Sequence, residues 1–161
     1  MSIYLHFRAV DESEIRDDHT WLAAFMSEGW DSHLNECEAG IATSINKAWD
    51  SVNDFYAAAD IPDTGADEPS TLPIYGGRPV PHGADADPSN PPLMLLEPPG
   101  VSQAAHFLAT VSFDELWNVV GARFRALGWT RQILLDHHMD LQGFYGRAAS
   151  AGHAVVKAVW A

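Results

Sequence analysis

Cysteine, basic side chains and long apolar runs are all scarce in this chain of 161 residues. Its one cysteine, Cys37, cannot form an internal disulfide, which suits a reducing compartment. The apolar stretch at the start is interrupted by His6 and Arg8, and no run approaches a membrane span or the apolar part of a signal peptide. We therefore expect a soluble, cytoplasmic protein that does not associate with a membrane.

Positive charge is the second deficit. Lys and Arg number 9 against 22 Asp and Glu, which gives a formal net charge of −13. Residues 1–68 hold 15 acidic and 3 basic side chains, whereas residues 69–161 carry a net charge of only −1. Nucleic acids and anionic membranes attract proteins of the opposite sign. The charge therefore excludes nucleic acid as a partner and favours a basic protein, with homo-oligomer formation as the alternative.

Apolar and aromatic residues, by contrast, are plentiful. They include six Trp and seven Phe in a chain that is 47% apolar, and so much aromatic surface excludes generic disorder. All ten prolines fall within residues 62–99, which predicts an irregular segment in the middle of the chain. Neither half contains enough alternating strand to close a sheet alone, so we expect one domain over residues 1–161.

The apolar periodicity changes along the chain. Strict alternation over residues 3–10 and a valine-rich end at 153–160 predict terminal strands, and the apolar run 93–96 predicts a third strand. Steps of three and four predict amphipathic helices, including one long helix over 41–59. The expected N-caps of the other helices are Asp18, Ser102, Ser112 and Thr130. The resulting fold class is α+β, with a small sheet that includes both terminal strands, packed with several amphipathic helices.

The proline-rich middle contains one ordered interruption. In residues 72–80 a Gly76–Gly77 pair stands between short extended runs, which predicts a tight turn. The neighbouring prolines favour an edge strand over a central one. Residues 85–92 have the composition of a mobile surface loop.

Several segments of this pattern resemble the YfbM-like family, a bacterial domain of unknown function numbered 1877 in its series. Residues 45–49 resemble the family's I-D-K-A-W helix, and residues 76–80 resemble its G-G-x-P-V/I turn. Residues 95–103 and 144–156 are similar to its helix entry and its closing helix and strand, whereas residues 81–92 depart from it. The resemblance implies an α+β fold and the bacterial cytoplasm, and it supplies no activity or catalytic residue.

The densest polar cluster, residues 136–140, supplies the catalytic candidates. These are His137, His138 and Asp140, with Tyr145 further along the same predicted helix. Adjacent histidines on a helix diverge by about 100°, so His137 and His138 cannot easily chelate one ion. We therefore expect no metal and no cofactor, and a boundary position between core and solvent is the structural alternative for both histidines.

The ligand-binding candidates are the basic residues that the terminal strands could bring together. His6 and Arg8 alternate with the apolar residues of the first strand, and Lys157 lies on the last. If these strands are neighbours, the three side chains form a small basic patch for an anion. Arg147, near the histidine cluster, is a further ligand-binding candidate. The structural alternative is a solvated sheet face.

Two functions follow from these observations. The charge of residues 1–68, together with the absence of a nucleophile elbow, P-loop, dinucleotide fingerprint or zinc-protease motif, favours a non-enzymatic binding or interaction module. The alternative is a small hydrolase that uses the His/Asp cluster on the last helix together with Arg8 or His6. A pocket shared by two or more of these side chains would favour the enzyme.

Overall fold

The computed structural model describes residues 2–59, 69–84 and 87–161. Its five strands are β1 (Tyr4–Val10), β2 (Ala42–Asn46), β3 (Arg78–Val80), β4 (Leu93–Leu96) and β5 (Ala154–Trp160). Its α-helices are α1 (His19–Asp31), α2 (His33–Ala39), α3 (Trp49–Ala57), α4 (Leu72–Tyr75), α5 (Pro98–Thr110), α6 (Phe113–Ala126) and α7 (Arg131–Ser150). Short 3₁₀ turns lie at Glu12–Glu14 and Pro69–Thr71.

The strands form one antiparallel sheet in the order β2-β1-β5-β4-β3. The α+β fold class is confirmed, as is the expectation that the sheet includes the N- and C-terminal strands. These two strands are neighbours: β1 pairs with β5 along its whole length, from Tyr4 opposite Trp160 to Val10 opposite Ala154. The edge strands are therefore β2 on one side and β3 on the other.

Both faces of the sheet are covered by helices. Phe7 and Val155 face a large core shared with α3 and α5–α7, whereas Val156 and Ala158 face a smaller core beneath α1. Residues of β1 are consequently buried on both faces, with His6 and Phe7 both 0% exposed. The first strand is therefore not the half-solvated strand that its alternation suggested.

Side-chain caps define three helices where the sequence predicts them. Asp18, Ser112 and Thr130 each accept a hydrogen bond from a backbone N–H in the first turn of α1, α6 and α7. Gly128 and Gly152 follow α6 and α7 with φ values of 89° and 68°, a left-handed conformation that favours glycine.

The predicted long helix over 41–59 is wrong. Its first part is β2, and α3 begins only at Trp49. Ile41, Thr43 and Ile45 are β-branched and fit the pleat of a strand beside β1, where Leu5 lies opposite Ile45. The apolar spacing fits both structures, and pairing with β1 decides between them.

The middle of the chain differs from expectation at two points. Residues 72–75 form helix α4, although the edge position of β3 and the positive φ of Gly77 agree with the predicted turn. Helix α5 begins at Pro98 instead of after Ser102, because proline is preorganised for the first turn of a helix. The predicted strand at 93–96 is confirmed as β4. In the predicted loop, residues 85 and 86 lie outside the described residues.

Candidate functional site

The catalytic candidates on α7 do not converge. His138 and Tyr145 face the core, where the Tyr56 hydroxyl lies 3.0 Å from His138 Nδ1 and the Tyr145 hydroxyl donates to the Pro73 carbonyl at 2.7 Å. Burial raises the pKa of both tyrosines and lowers the pKa of His138. These groups are held neutral in the interior, which favours the structural alternative for His138.

His137 points in another direction from His138, as the 100° step predicts. Its ring centroid lies 6.3 Å from that of Trp129, and burial lowers its pKa despite the nearby Asp140 and Asp136 carboxylates. Asp140 itself is exposed on a third side of the helix. The four candidates therefore share no pocket, and the hydrolase based on them loses its structural motive.

The predicted basic patch of His6, Arg8 and Lys157 does not form. Lys157 lies opposite Phe7 in the ladder, whereas His6 and Arg8 lie opposite Ala158 and Val156. Directly opposed residues share a face, so Lys157 is on the other side of the sheet from the two residues of β1. The strands are neighbours, as the patch required, but their register places Lys157 on the opposite face.

Lys157 is fully buried in the larger core. Its Nζ donates hydrogen bonds to the carbonyl groups of Leu72, Ile74 and Gly76 at 2.9, 3.1 and 2.8 Å. Burial lowers the pKa of this amine. Lys157 therefore fastens α4 and the turn before β3 to the middle of the sheet.

Arg8 and His6 lie beneath α1 and α2. Arg8 makes a bidentate ion pair with Glu36 through two bonds of 2.8 Å, and its Nη1 donates to the Phe25 carbonyl at 2.6 Å. His6 Nδ1 accepts from Trp160 Nε1 at 3.2 Å. Burial lowers the pKa of His6 to about 3, with the charges of His33 and Arg8 adding to the effect. Both residues hold the helices onto the sheet.

A polar cleft of about 370 Å³ lies at the opposite edge from β3, between α2, β2 and α7. It brings together two sequence candidates, Asp140 and Arg147. It is lined by Cys37, Ala42, Thr43, Ser44, Met139, Asp140, Gly143 and Arg147. Among the described residues neither Asp140 nor Arg147 takes part in a salt bridge. This is the candidate functional site.

The floor of the cleft is the free edge of β2. At one end the Ile41 carbonyl accepts from Ala9 N–H, and at the other the Lys47 N–H donates to the carbonyl of Ile3, just before β1. Such bonds alternate along an antiparallel pair. The N–H and C=O groups of Ala42, Ser44 and Asn46 consequently point away from β1. In the part of the chain that is described, β2 pairs with β1 alone. Ala42 and Ser44 line the cleft, whereas Asn46 borders a different pocket and its carbonyl accepts from the Ala48 N–H.

Ser44 and His33 form a close pair at one wall. Ser44 Oγ lies 2.9 Å from His33 Nε2, and Cys37 Sγ lies 3.7 Å from His33 Nδ1. Burial lowers the pKa of His33, so the neutral ring could accept the serine proton. Among the described residues no hydrogen bond joins His33 to a carboxylate, which is the partner that orients the base in a catalytic triad. The pair braces α2 against β2.

Cys37 lies in the cleft wall near two carboxylates. Burial raises the pKa of the thiol, and the Asp140 and Glu36 carboxylates raise it further. The group is therefore a neutral thiol at physiological pH, which is a poor nucleophile and metal ligand. Cys37 therefore forms part of the cleft wall and is not a candidate catalytic group.

The sequence reasoning missed Gly40, Ser44 and Gly143. The helix predicted over 41–59 concealed the strand that carries Ser44, and long-range packing alone brings Gly143 and Gly40 together. One local signal was available: a glycine, Gly40, directly precedes the β-branched run. In the structure it caps α2 with a φ of 78°.

The described residues contain neither a cluster of metal ligands nor a membrane-spanning helix. No group of three or more His, Cys, Asp or Glu side chains converges as metal ligands would. No helix there is long and apolar enough to cross a membrane.

Comparisons with known proteins agree with the fold. The structure resembles the crystal structure of YfbM from Escherichia coli, a protein of unknown function, with a TM-score of 0.57 and 13% identity over 98% of this chain and 99% of that one. No curated protein matches the chain. The model of a domain of unknown function, DUF1877, matches residues 1–157. The chain therefore belongs to the DUF1877 family, as the sequence resemblance predicted.

Proposed function

We propose that the chain is a non-enzymatic binding module that takes an extended segment of a partner protein as an additional strand against β2. The observation that carries this proposal is the free edge of β2 on the floor of a polar cleft. Outward N–H and C=O groups of a strand are a template for strand addition, in which the backbone supplies affinity and the walls supply specificity.

The walls of the cleft favour one strand over a whole sheet edge. Helix α2 stands on one side of β2 and α7 on the other, so β2 is recessed between them. A single extended segment fits such a slot, whereas the edge of a second sheet would bring its own covering helices against α2 and α7. A partner segment is therefore a better occupant than the edge strand of a second copy.

Charge favours a segment with basic side chains. Asp140 lies in the cleft and has no ion-pair partner within the described ranges, and Glu38 is exposed on α2. The first 68 residues carry nearly all of the net negative charge. A surface of one sign steers partners of the opposite sign, over a Debye length of about 8 Å at physiological salt. Association should consequently slow as salt rises.

A random octapeptide library, displayed with a free C-terminus and selected on the wild-type protein, tests this proposal. We expect enrichment of extended peptides that contain Lys or Arg. When a selected peptide is added, the backbone amide signals of Ala42 and Ser44 should shift in NMR spectra and exchange more slowly with solvent.

Two variants of one position separate strand addition from other binding. Ser44→Pro removes an outward N–H without removing a bond to β1, a change that edge strands tolerate. Ser44→Ala loses only the hydroxyl and its contact with His33. The proposal predicts that Ser44→Pro weakens peptide binding about tenfold relative to Ser44→Ala, which corresponds to one lost hydrogen bond plus steric hindrance. Equal binding by the two variants, selected peptides that shift other surfaces, or no enrichment over an unrelated protein would each overturn it.

A further inference from the structure

The direction of the added strand is set by the sheet. Every neighbouring pair of strands is antiparallel, and β2 runs from Ala42 to Asn46. A segment that continues this pattern runs the other way, so its C-terminal end lies beside Ala42. That is the end of the cleft at which Arg147 binds the Gly40 carbonyl.

Arg147 is held there with one side of its guanidinium free. Its Nε donates to the Gly40 carbonyl at 3.0 Å, and within the described ranges its two terminal nitrogens have no hydrogen-bond partner. Two parallel N–H groups on one guanidinium match the two oxygens of a carboxylate. With its Nε fixed, the side chain offers this fork in one orientation.

Two glycines make room for that orientation. A Cβ atom on Gly40 would overlap Arg147 Nε, and a Cβ atom on Gly143 would lie 3.2 Å from Nη1 and 3.6 Å from Nη2. Gly143 stands in the interior of α7, where glycine lowers helix stability and alanine would raise it. The space that it leaves is occupied by the arginine head group.

Asp140 supplies the second contact. It precedes Arg147 by seven residues on α7, about 10 Å along the axis at a rise of about 1.5 Å per residue. An extended strand covers that distance in about three residues at about 3.4 Å each. A basic side chain about three residues before the C-terminus would therefore lie near the Asp140 carboxylate.

From this juxtaposition we infer that the cleft binds the free C-terminal end of a partner protein, with its carboxylate on Arg147 and an upstream Lys or Arg side chain beside Asp140. The inference rests on the proposed function and adds the identity of the segment. The main-chain carboxylate defines the register of the strand, and the upstream cation distinguishes one C-terminus from another.

The test uses each peptide selected above in two synthetic forms, a free C-terminal acid and the corresponding amide. Binding is measured by fluorescence anisotropy on the full chain. On the wild-type protein we expect the amide to bind about tenfold more weakly, because it loses a charge-assisted bidentate contact.

Three variants test whether Arg147 is the residue that binds the peptide carboxylate. Arg147→Gln should remove the difference between acid and amide, and Arg147→Lys should reduce it because an ammonium group lacks the planar fork. Gly143→Ala keeps the arginine charge but crowds its head group, so we expect several-fold weaker binding of the acid with a melting temperature at or above that of wild type. That combination separates a role in binding from a role in stability.

Three outcomes would overturn the inference. Equal affinity for acid and amide on wild type overturns the inference and leaves strand addition intact. A preference for the acid that survives in Arg147→Gln also overturns it, because the carboxylate is then bound elsewhere. If no peptide is enriched on wild type, the proposed function fails and this inference fails with it.

Discussion

The two edges of the sheet are built in opposite ways. The β3 edge is three residues long, contains Pro79 in its centre and is flanked by the ion pairs of Arg78 with Asp17 and Glu97. The β2 edge is five residues long, contains no proline and borders a polar cleft. Short length, proline and charge are the devices by which proteins block unwanted strand pairing. One edge therefore carries several of these devices, whereas the other is recessed between α2 and α7 and borders the cleft.

The side-chain interactions that hold the two edges in place differ as well. At the closed edge, a buried lysine reaches from β5 to three carbonyl groups of the segment that leads into β3. At the open edge, neutral His6 and the Arg8–Glu36 pair hold α1 and α2 over the sheet. The closed edge depends on hydrogen bonds from the Lys157 amine to carbonyl groups, whereas the open edge depends on an uncharged His6 ring. They should consequently fail under different perturbations.

Replacing the buried amine should produce the largest effect. Lys157→Met keeps the length of the side chain but leaves the Ile74 and Gly76 carbonyls without their donor. Unpartnered buried acceptors cost about 1–3 kcal/mol each, offset in part by removal of a buried amine, so we expect a loss of about 3 kcal/mol. Urea denaturation measures this loss, and hydrogen exchange should place it at residues 72–80.

Lys47→Met is the matched control, since Lys47 is the chain's other lysine and is exposed. Its free energy of unfolding should stay within about 0.5 kcal/mol of wild type. Equal stability of the two variants would show that the bonds of Lys157 do not hold the closed edge.

Acid should act on the open edge. The pKa of His6 is lowered to about 3 from the ordinary 6.5, so the folded protein binds fewer protons than the unfolded chain between these values. Stability from this group is therefore complete above pH 6.5 and falls as the pH drops towards 3. Linkage gives a loss of about 2 kcal/mol between pH 7 and 5.

His6→Gln keeps an acceptor for Trp160 Nε1 but cannot titrate. Its stability should decline less than that of wild type over the same range, although His33, His137 and His138 retain lowered pKa values that act in the same direction. His106→Gln, on the exposed side of α5, is the control. A wild-type slope in His6→Gln would contradict the prediction.

Local rules explain what the sequence could predict. The caps Asp18, Ser112 and Thr130 act on their own helices, and the alternation of the terminal strands is visible without knowing their neighbours. Residues 41–46 were misassigned because their apolar spacing fits a helix and a strand, and only β1, more than 30 positions away, selects the strand. The register of β5 against β1 carries no local signal, which is why Lys157 was predicted on the wrong face.

The site was predictable only in pieces. Asp140 and Arg147 stood out as polar residues of the last helix, and the structure joins them in one cleft. Their common partner is the edge of β2, which the helix prediction concealed. The single-domain boundary, the cytoplasmic location and the basic partner remain predictions.

The smallest expected effect concerns Pro79 in β3. Pro79 lies opposite Met94 and has no N–H to offer to a strand on either side. Pro79→Thr would supply a donor and a residue that favours strands, so we expect weak self-association at high concentration with a change in stability within about 0.5 kcal/mol. Sedimentation equilibrium measures the association, and Pro81→Thr, one residue beyond the strand, is the control.

The wild-type chain should remain monomeric although its β2 edge is longer, because α2 and α7 stand on either side of that edge. If Pro79→Thr stays monomeric and Ser44→Pro suppresses association of the wild-type chain, then β2 is the edge at which two copies meet, and the contrast between the edges is reversed.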